Sequence, residues 1–344
     1  MIAVREFVAG LPKVELHVHH VGSASPVTVA ELAARHESDS PVPADPQELA
    51  EYFAFTDFEH FLRVYLSVVN LIRDAEDVRA LTWGVARDLA GQNVRYAELT
   101  VTPWSSVRQG IPAEAFCEAI EDARLAAARE LNLSLAWCFD IPGEATLNSG
   151  EKTLDIALRQ RPAGLVSFGI GGAEVARSPY RDIFAAARAA GLHIAPHAGE
   201  TTSAAEVWDA IRLLRAERIG HGIRAVEDPS LVAFLAENRI PLEISPTSNL
   251  CTRAVPSIAD HPLAELVAAG VPVSINSDDP SMFSTTLIDE YVLAGQMLDL
   301  DKAGLADLAR AAVRQSFAGD WEKSIILREI DEYCTSLDAG FISG

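Results

Sequence analysis

Eight short runs of strand type, each followed by a helical stretch, constrain this chain more than any other feature. They cover residues 14–19, 94–101, 133–139, 165–170, 192–197, 218–221, 240–244 and 271–276. The stretches between them are rich in Ala, Leu, Arg and Glu, as in 113–131 and 179–190, and suit helices. Strands alternating with helices imply parallel pairing, and eight such units predict an α/β fold, a (β/α)8 TIM barrel. The chain has 344 residues, above the roughly 250 that such a barrel needs. About half are apolar, enough for a large core. With no repeat, low-complexity tract or Ser/Gly linker, residues 1–344 read as a single domain.

Two additions to the barrel are expected. After the first strand, Gly22-Ser23-Ala24-Ser25-Pro26 is turn chemistry opening a helix over 27–35, and 38–48 reads as a surface loop. A helix over 53–69, with Phe55, Phe58, Phe61, Leu62 and Tyr65 at helical spacing, forms an inserted helical segment. Another helix over 77–90 ends at Gly91. Residues beyond about 301 form a helical C-terminal tail against the outside of the barrel.

Barrels of this kind collect functional groups at the carboxyl ends of their strands. Here those ends carry matching chemistry. The first strand ends in His17-Val18-His19, whose alternation puts both imidazoles on one face. The fifth ends in His197-Ala198-Gly199-Glu200, the sixth in Gly220-His221-Gly222, and the eighth in Asn276-Ser277-Asp278-Asp279-Pro280. Imidazole nitrogens with a carboxylate make a mixed donor set for zinc with one position open to water. A nearby carboxylate can move that water's protons. A metal hydrolase is therefore expected.

Charge narrows the partners. With 49 acidic and 28 basic residues the net charge is −21, which repels nucleic-acid polymers and anionic membranes. Cys117, Cys138, Cys251 and Cys334 lie far apart with no CxxC pair, as in a reducing cytosol. No apolar run approaches a membrane span and no signal-like start is seen, so a cytoplasmic protein with a small-molecule partner is expected. Oligomeric state is not legible.

The strand-end motifs, together with Leu11-Pro12-Lys13, Gly171-Gly172-Ala173-Glu174, Arg218-Ile219-Gly220-His221-Gly222 and Pro246-Thr247-Ser248-Asn249, resemble the adenosine deaminase family of the amidohydrolase superfamily. The resemblance runs to about Asp289. It implies one zinc ion per chain held by His17, His19, His197 and Asp278. It gives Glu200 a proton-delivering role at purine N1 and makes His221 the group that orients the attacking water. Asp279 would pair with N7, and the backbone amide of Gly172 with N3. The implied reaction replaces a purine 6-amino group by oxygen and releases ammonia.

The chain departs from that family at three places. After His19 the family usually continues Leu-Asp-Gly, and that Asp is thought to hold the ribose 5′-hydroxyl; here the run is His20-Val21-Gly22. Valine cannot accept a hydrogen bond, and a buried hydroxyl facing it would lose about 1–3 kcal/mol. Val21 thus suits a nucleoside whose 5′-oxygen is replaced by carbon. One family branch accepts such a compound, 6-amino-6-deoxyfutalosine of the futalosine route to menaquinone, whose 5′ carbon bears a keto-linked carboxyphenyl group. Adenosine is the alternative substrate, followed by adenine and N6-substituted purines. Thr100 stands where relatives tend to have Arg, and His20 is new to the motif. A carboxyphenyl group would want an arginine near the mouth, for which Arg63 and Arg177 are candidates.

Three competing readings are weaker. Binuclear relatives usually place a carboxylated lysine at the end of the fourth strand, but lysines occur only at 13, 152, 302 and 323. The cytidine-deaminase type requires HxE and PCxxC signatures, which are absent. A non-catalytic barrel should have lost a proton-transfer residue, yet Glu200 and His221 both stand in place.

Overall fold

The computed structural model describes residues 3–36, 41–55, 58–143, 146–172 and 174–339. The strands are β1 (Lys13–His19), β2 (Val94–Val101), β3 (Ser134–Ile141), β4 (Leu165–Ile170), β5 (His193–Ile194), β6 (His197–Ala198), β7 (Ile219–His221), β8 (Leu242–Ile244) and β9 (Val273–Ile275). All pair in parallel, in the orders β1-β2-β3-β4-β5 and β6-β7-β8-β9.

The expected fifth strand appears as two pieces, β5 and β6, because Pro196 between them has no N–H for the ladder. Its backbone still spans the gap: Ala195 N–H donates to Phe168 O, and Gly220 N–H to Pro196 O. A parallel bridge between Val18 and Asp278 closes the ring, with His19 N–H donating to Asp278 O and Asp278 N–H to His17 O. Nine strand segments therefore make eight barrel positions, as the sequence predicts.

Period-two alternation sorts the strands into two faces. On β1, Val14, Leu16 and Val18 belong to the apolar core, while Glu15, His17 and His19 share the other face. The polar faces meet across the barrel: Arg218, next to β7, ion-pairs with Glu98 on the distant β2 and with Glu243 on β8. The barrel interior is thus a polar column sheathed by apolar side chains. Burying these charges is tolerable only because each is paired.

The inserted segment after β1 consists of Pro46–Tyr52 and Phe58–Val69 rather than one helix over 53–69. Asp45 accepts from the Gln47 and Glu48 amides and Pro46 takes the first turn, so a helix starts inside the stretch read as a loop. Residues 37–40 of that stretch lie outside the described residues. Phe55 and Phe61 pack on each other and on Phe283, in the loop after Asp279; the Phe58 side chain lies outside the described residues. The tail is helical as expected. Lys302–Gln315 packs against β9 and β1, and Asp320–Ala339 packs on it. No helix among the described residues is long and apolar enough to cross a membrane.

Candidate active site

At the carboxyl rim, His17, His197, His221 and Asp278 are buried and each offers a donor atom within 4.8 Å of the others. His19 and Asp279 join the same group through Asp278. His19 Nε2 lies 3.1 Å from both His197 Nε2 and Asp278 Oδ1, and His17 Nε2 lies 3.4 Å from that oxygen. Spacings of about 3 Å are those of donors ringed around an ion at about 2.0–2.1 Å. His17 Nε2 and Asp279 Oδ1 are buried without a hydrogen-bond partner, which is costly unless a ligand completes them. Nitrogen and carboxylate donors with orphaned atoms fit a divalent metal ion.

The backbone at this rim is held in an uncommon state. His221 and Asp278 take φ of 61° and 63°, left-handed values that are uncommon for a non-glycine residue. For Asp278 what holds it is visible: its backbone closes the barrel on β1, and Ser248 Oγ donates to its Oδ2 at 2.6 Å. Gly172 also has positive φ, and a Cβ there would strike Gly143 at 2.3 Å. Ala173, next to it, lies outside the described residues.

Glu200 sits at the edge of the cluster. Its Oε2 is 3.6 Å from His221 Nε2, while Thr252 Oγ1 donates to its Oε1 at 2.9 Å. The loop carrying it is organised by Glu174, which accepts from the amides of Glu200, Thr201 and Thr202 and from both threonine hydroxyls. Burial would raise the Glu174 carboxyl, but these donors hold it below the usual range. Burial pushes Asp279 the other way, above the usual carboxylate range.

The residues proposed from the sequence as metal, catalytic and substrate contacts lie at this rim or beside it, while three others do not. Arg177 is not at the mouth: it is 1 % exposed and donates to His197 O at 2.6 Å, behind the cluster. Arg63 is exposed on the inserted helix. His20 is buried and bonded to Thr82 Oγ1 at 2.8 Å, so it packs away from the metal cluster. Val21, Thr100 and His20, the three departures from the family pattern, line one cavity of about 20 Å³ together with Tyr65, Ser106 and Phe116.

Other contributors were not singled out from the sequence. Glu243 accepts from His17 Nδ1 at 2.8 Å; its signal was a charged residue between two apolar ones on a strand. Asp140, one residue before the end of β3, sits in a cradle where a side chain on Gly169 or Gly171 would collide with it, and burial lifts its carboxyl to about 7. Asp140 carried the same signal as Glu243, standing between Phe139 and Ile141 on a strand.

A parallel barrel with a buried imidazole–carboxylate cluster at its carboxyl rim defines the class: a metal-dependent hydrolase of amidohydrolase type. The family described as adenosine deaminase matches residues 12–333. The chain belongs to that family. It is 61 % identical over 331 residues to an aminodeoxyfutalosine deaminase of Streptomyces coelicolor, covering 95 % of this chain and 85 % of that one. The adenine deaminase of Arthrobacter aurescens superposes with a TM-score of 0.88 at 31 % identity, covering 94 % of this chain and 99 % of that one. A zinc-bound amidohydrolase of Burkholderia ambifaria gives 0.86 at 26 % identity, covering 98 % and 96 %.

Proposed function

We propose that this protein hydrolyses the 6-amino group of an adenine nucleoside whose 5′ position is carbon, with 6-amino-6-deoxyfutalosine as substrate and ammonia as co-product. The carrying observation is Val21, a buried apolar side chain one residue from Gly22, where the chain touches Asp279: a Cβ on Gly22 would lie 1.6 Å from Asp279 Oδ1. The position that would face a ribose 5′ group is thus unable to accept a hydrogen bond. The small cavity behind Val21 has room for about one water, so the aryl group leaves toward the mouth. The name of the Streptomyces coelicolor relative points the same way.

Within this reading His17, His19, His197 and Asp278 hold one zinc ion per chain. The donor set suits zinc, and the Burkholderia ambifaria relative carries it. When bound, the metal lowers the pKa of a water toward neutrality. Glu200, fixed by Thr252, gives a proton to purine N1, which makes C6 electrophilic. Asp279, favoured in its protonated form by burial, donates to the N7 lone pair. The Gly172 amide donates to N3, and His221 directs the incoming oxygen. Water adds at C6, one of its protons replacing the one Glu200 gave to N1 and the other passing to N6; the C6–N6 bond then breaks and ammonia departs. We read the chain as one such domain, acting in the cytoplasm on a small molecule.

The test is ammonia release from 6-amino-6-deoxyfutalosine by the zinc-loaded protein, alongside Glu200→Gln and chelator-treated samples. Turnover lost in both controls, and restored by zinc only in the chelator-treated one, supports the reading; no turnover with zinc bound refutes it.

A further inference from the structure

Beyond the residues just assigned, a chain of hydrogen bonds with a fixed direction runs into the site. It starts at a backbone amide, which can only donate: Leu263 N–H donates to His261 Nδ1 at 3.1 Å. Because Nδ1 accepts, the proton of the neutral ring must sit on Nε2. His261 is neutral at working pH, since burial lowers it to about 4. Its Nε2 lies 3.2 Å from Asn249 Oδ1, which accepts. The Asn249 Nδ2 group is thereby turned toward His221 Nδ1 at 3.2 Å and Glu200 Oε1 at 3.4 Å. Flipping the amide would set its oxygen against the Glu200 carboxylate and its N–H groups against the His261 N–H. Both contacts would be repulsive, so the backbone amide fixes the direction of the whole chain.

We propose that Asn249 and His261 are positioning residues that lock His221 as the tautomer protonated on Nε2, so that His221 donates a hydrogen bond into the site and is not a metal ligand. With Nδ1 accepting from Asn249, His221 Nε2 carries its proton toward Glu200 Oε2 at 3.6 Å and Asp278 Oδ2 at 3.9 Å. Distance alone places His221 among the residues able to hold a metal. A protonated nitrogen has no lone pair to give, which leaves the nitrogen ligands to His17, His19 and His197. The same Asn249 amide donates to Glu200, so one side chain orients both the proton donor and the group that directs the incoming oxygen. The inference rests on the proposed function only in taking the cluster to hold a metal.

The test is nuclear magnetic resonance of the zinc-loaded protein with isotope-labelled histidine, the His221 signals being assigned by difference against His221→Gln. We expect His221 Nδ1 in the acceptor range and Nε2 in the protonated range. In the cadmium-substituted protein, coupling to the metal should appear at three histidines and not at His221. A protonated His221 Nδ1, or metal coupling at His221, overturns the proposal. His261→Phe should release the tautomer and lower kcat by about 10- to 100-fold with KM little changed, while His261→Gln, whose amide can still donate to Asn249, should restore both. A His261→Phe protein with unchanged tautomer and kcat also overturns it. The expected tautomer in a protein that deaminates nothing would uphold the relay and reject the substrate assignment.

Discussion

His17 donates Nδ1–H to Glu243 Oε2 at 2.8 Å, and the second Glu243 oxygen accepts from Arg218 Nε at 2.5 Å. Burial would raise the Glu243 carboxyl, but Arg218 and His17 hold it below the usual range, so it stays an acceptor. A carboxylate behind an imidazole fixes the ring so that Nε2 keeps its lone pair and makes that nitrogen a stronger ligand. The polar column in the barrel therefore reaches the rim through the bond from His17 to Glu243.

Glu243→Gln keeps the size of that side chain and removes its charge. Metal affinity should fall by about 10- to 100-fold, read by competition with a chromophoric chelator. Unchanged affinity would mean that Glu243 serves the fold alone.

Val21→Asp should shift preference toward nucleosides with a free 5′-hydroxyl. One recovered hydrogen bond is worth about 1–3 kcal/mol, so the ratio of kcat/KM for adenosine over 6-amino-6-deoxyfutalosine should rise about 5- to 150-fold. An unmoved ratio would separate Val21 from the ribose.

Gly22→Ala places a methyl group 1.6 Å from Asp279 Oδ1, so the carboxyl must move. Displacing a substrate contact by about an ångström costs on the order of a hundredfold in rate. We expect that loss in kcat/KM with zinc content unchanged, measured together on one preparation. Full activity would free Asp279 from any contact with substrate.

Lys13 lies buried at the start of β1, away from the rim, donating to the carbonyls of Val8 and Leu11. Burial lowers it from 10.5 to about 7. Between those values the unfolded chain holds a proton that the folded one has lost, so stability from this group rises with pH across that window. The slope is at most about 1.4 kcal/mol per pH unit. Urea unfolding of the native protein and of Lys13→Met should diverge in favour of the native protein from about pH 7 upward. A pH-independent difference would contradict a buried, neutral Lys13.

The barrel and the rim were legible because both rest on short-range periodicity. Alternation alone put His17 and His19 on one face, and eight strand signals fixed the order in which the remaining groups meet. What the pattern could not show depends on groups far apart in the chain. The break at Pro196 comes from a missing N–H rather than from polarity. Arg177 read as a mouth residue because a carboxyphenyl group would want an arginine there, yet it is buried against His197 O. Asn249 stood in a quoted motif, but its direction depends on His261 and a backbone amide on another turn of chain.

The most direct measurement is steady-state deamination of 6-amino-6-deoxyfutalosine and adenosine side by side on one zinc-loaded preparation, followed by the ultraviolet change from 6-amino to 6-oxo purine. The account predicts a kcat/KM preference of about 5- to 150-fold for the first compound, the worth of the hydroxyl contact that Val21 cannot make. Equal rates, or a preference for adenosine, would contradict it.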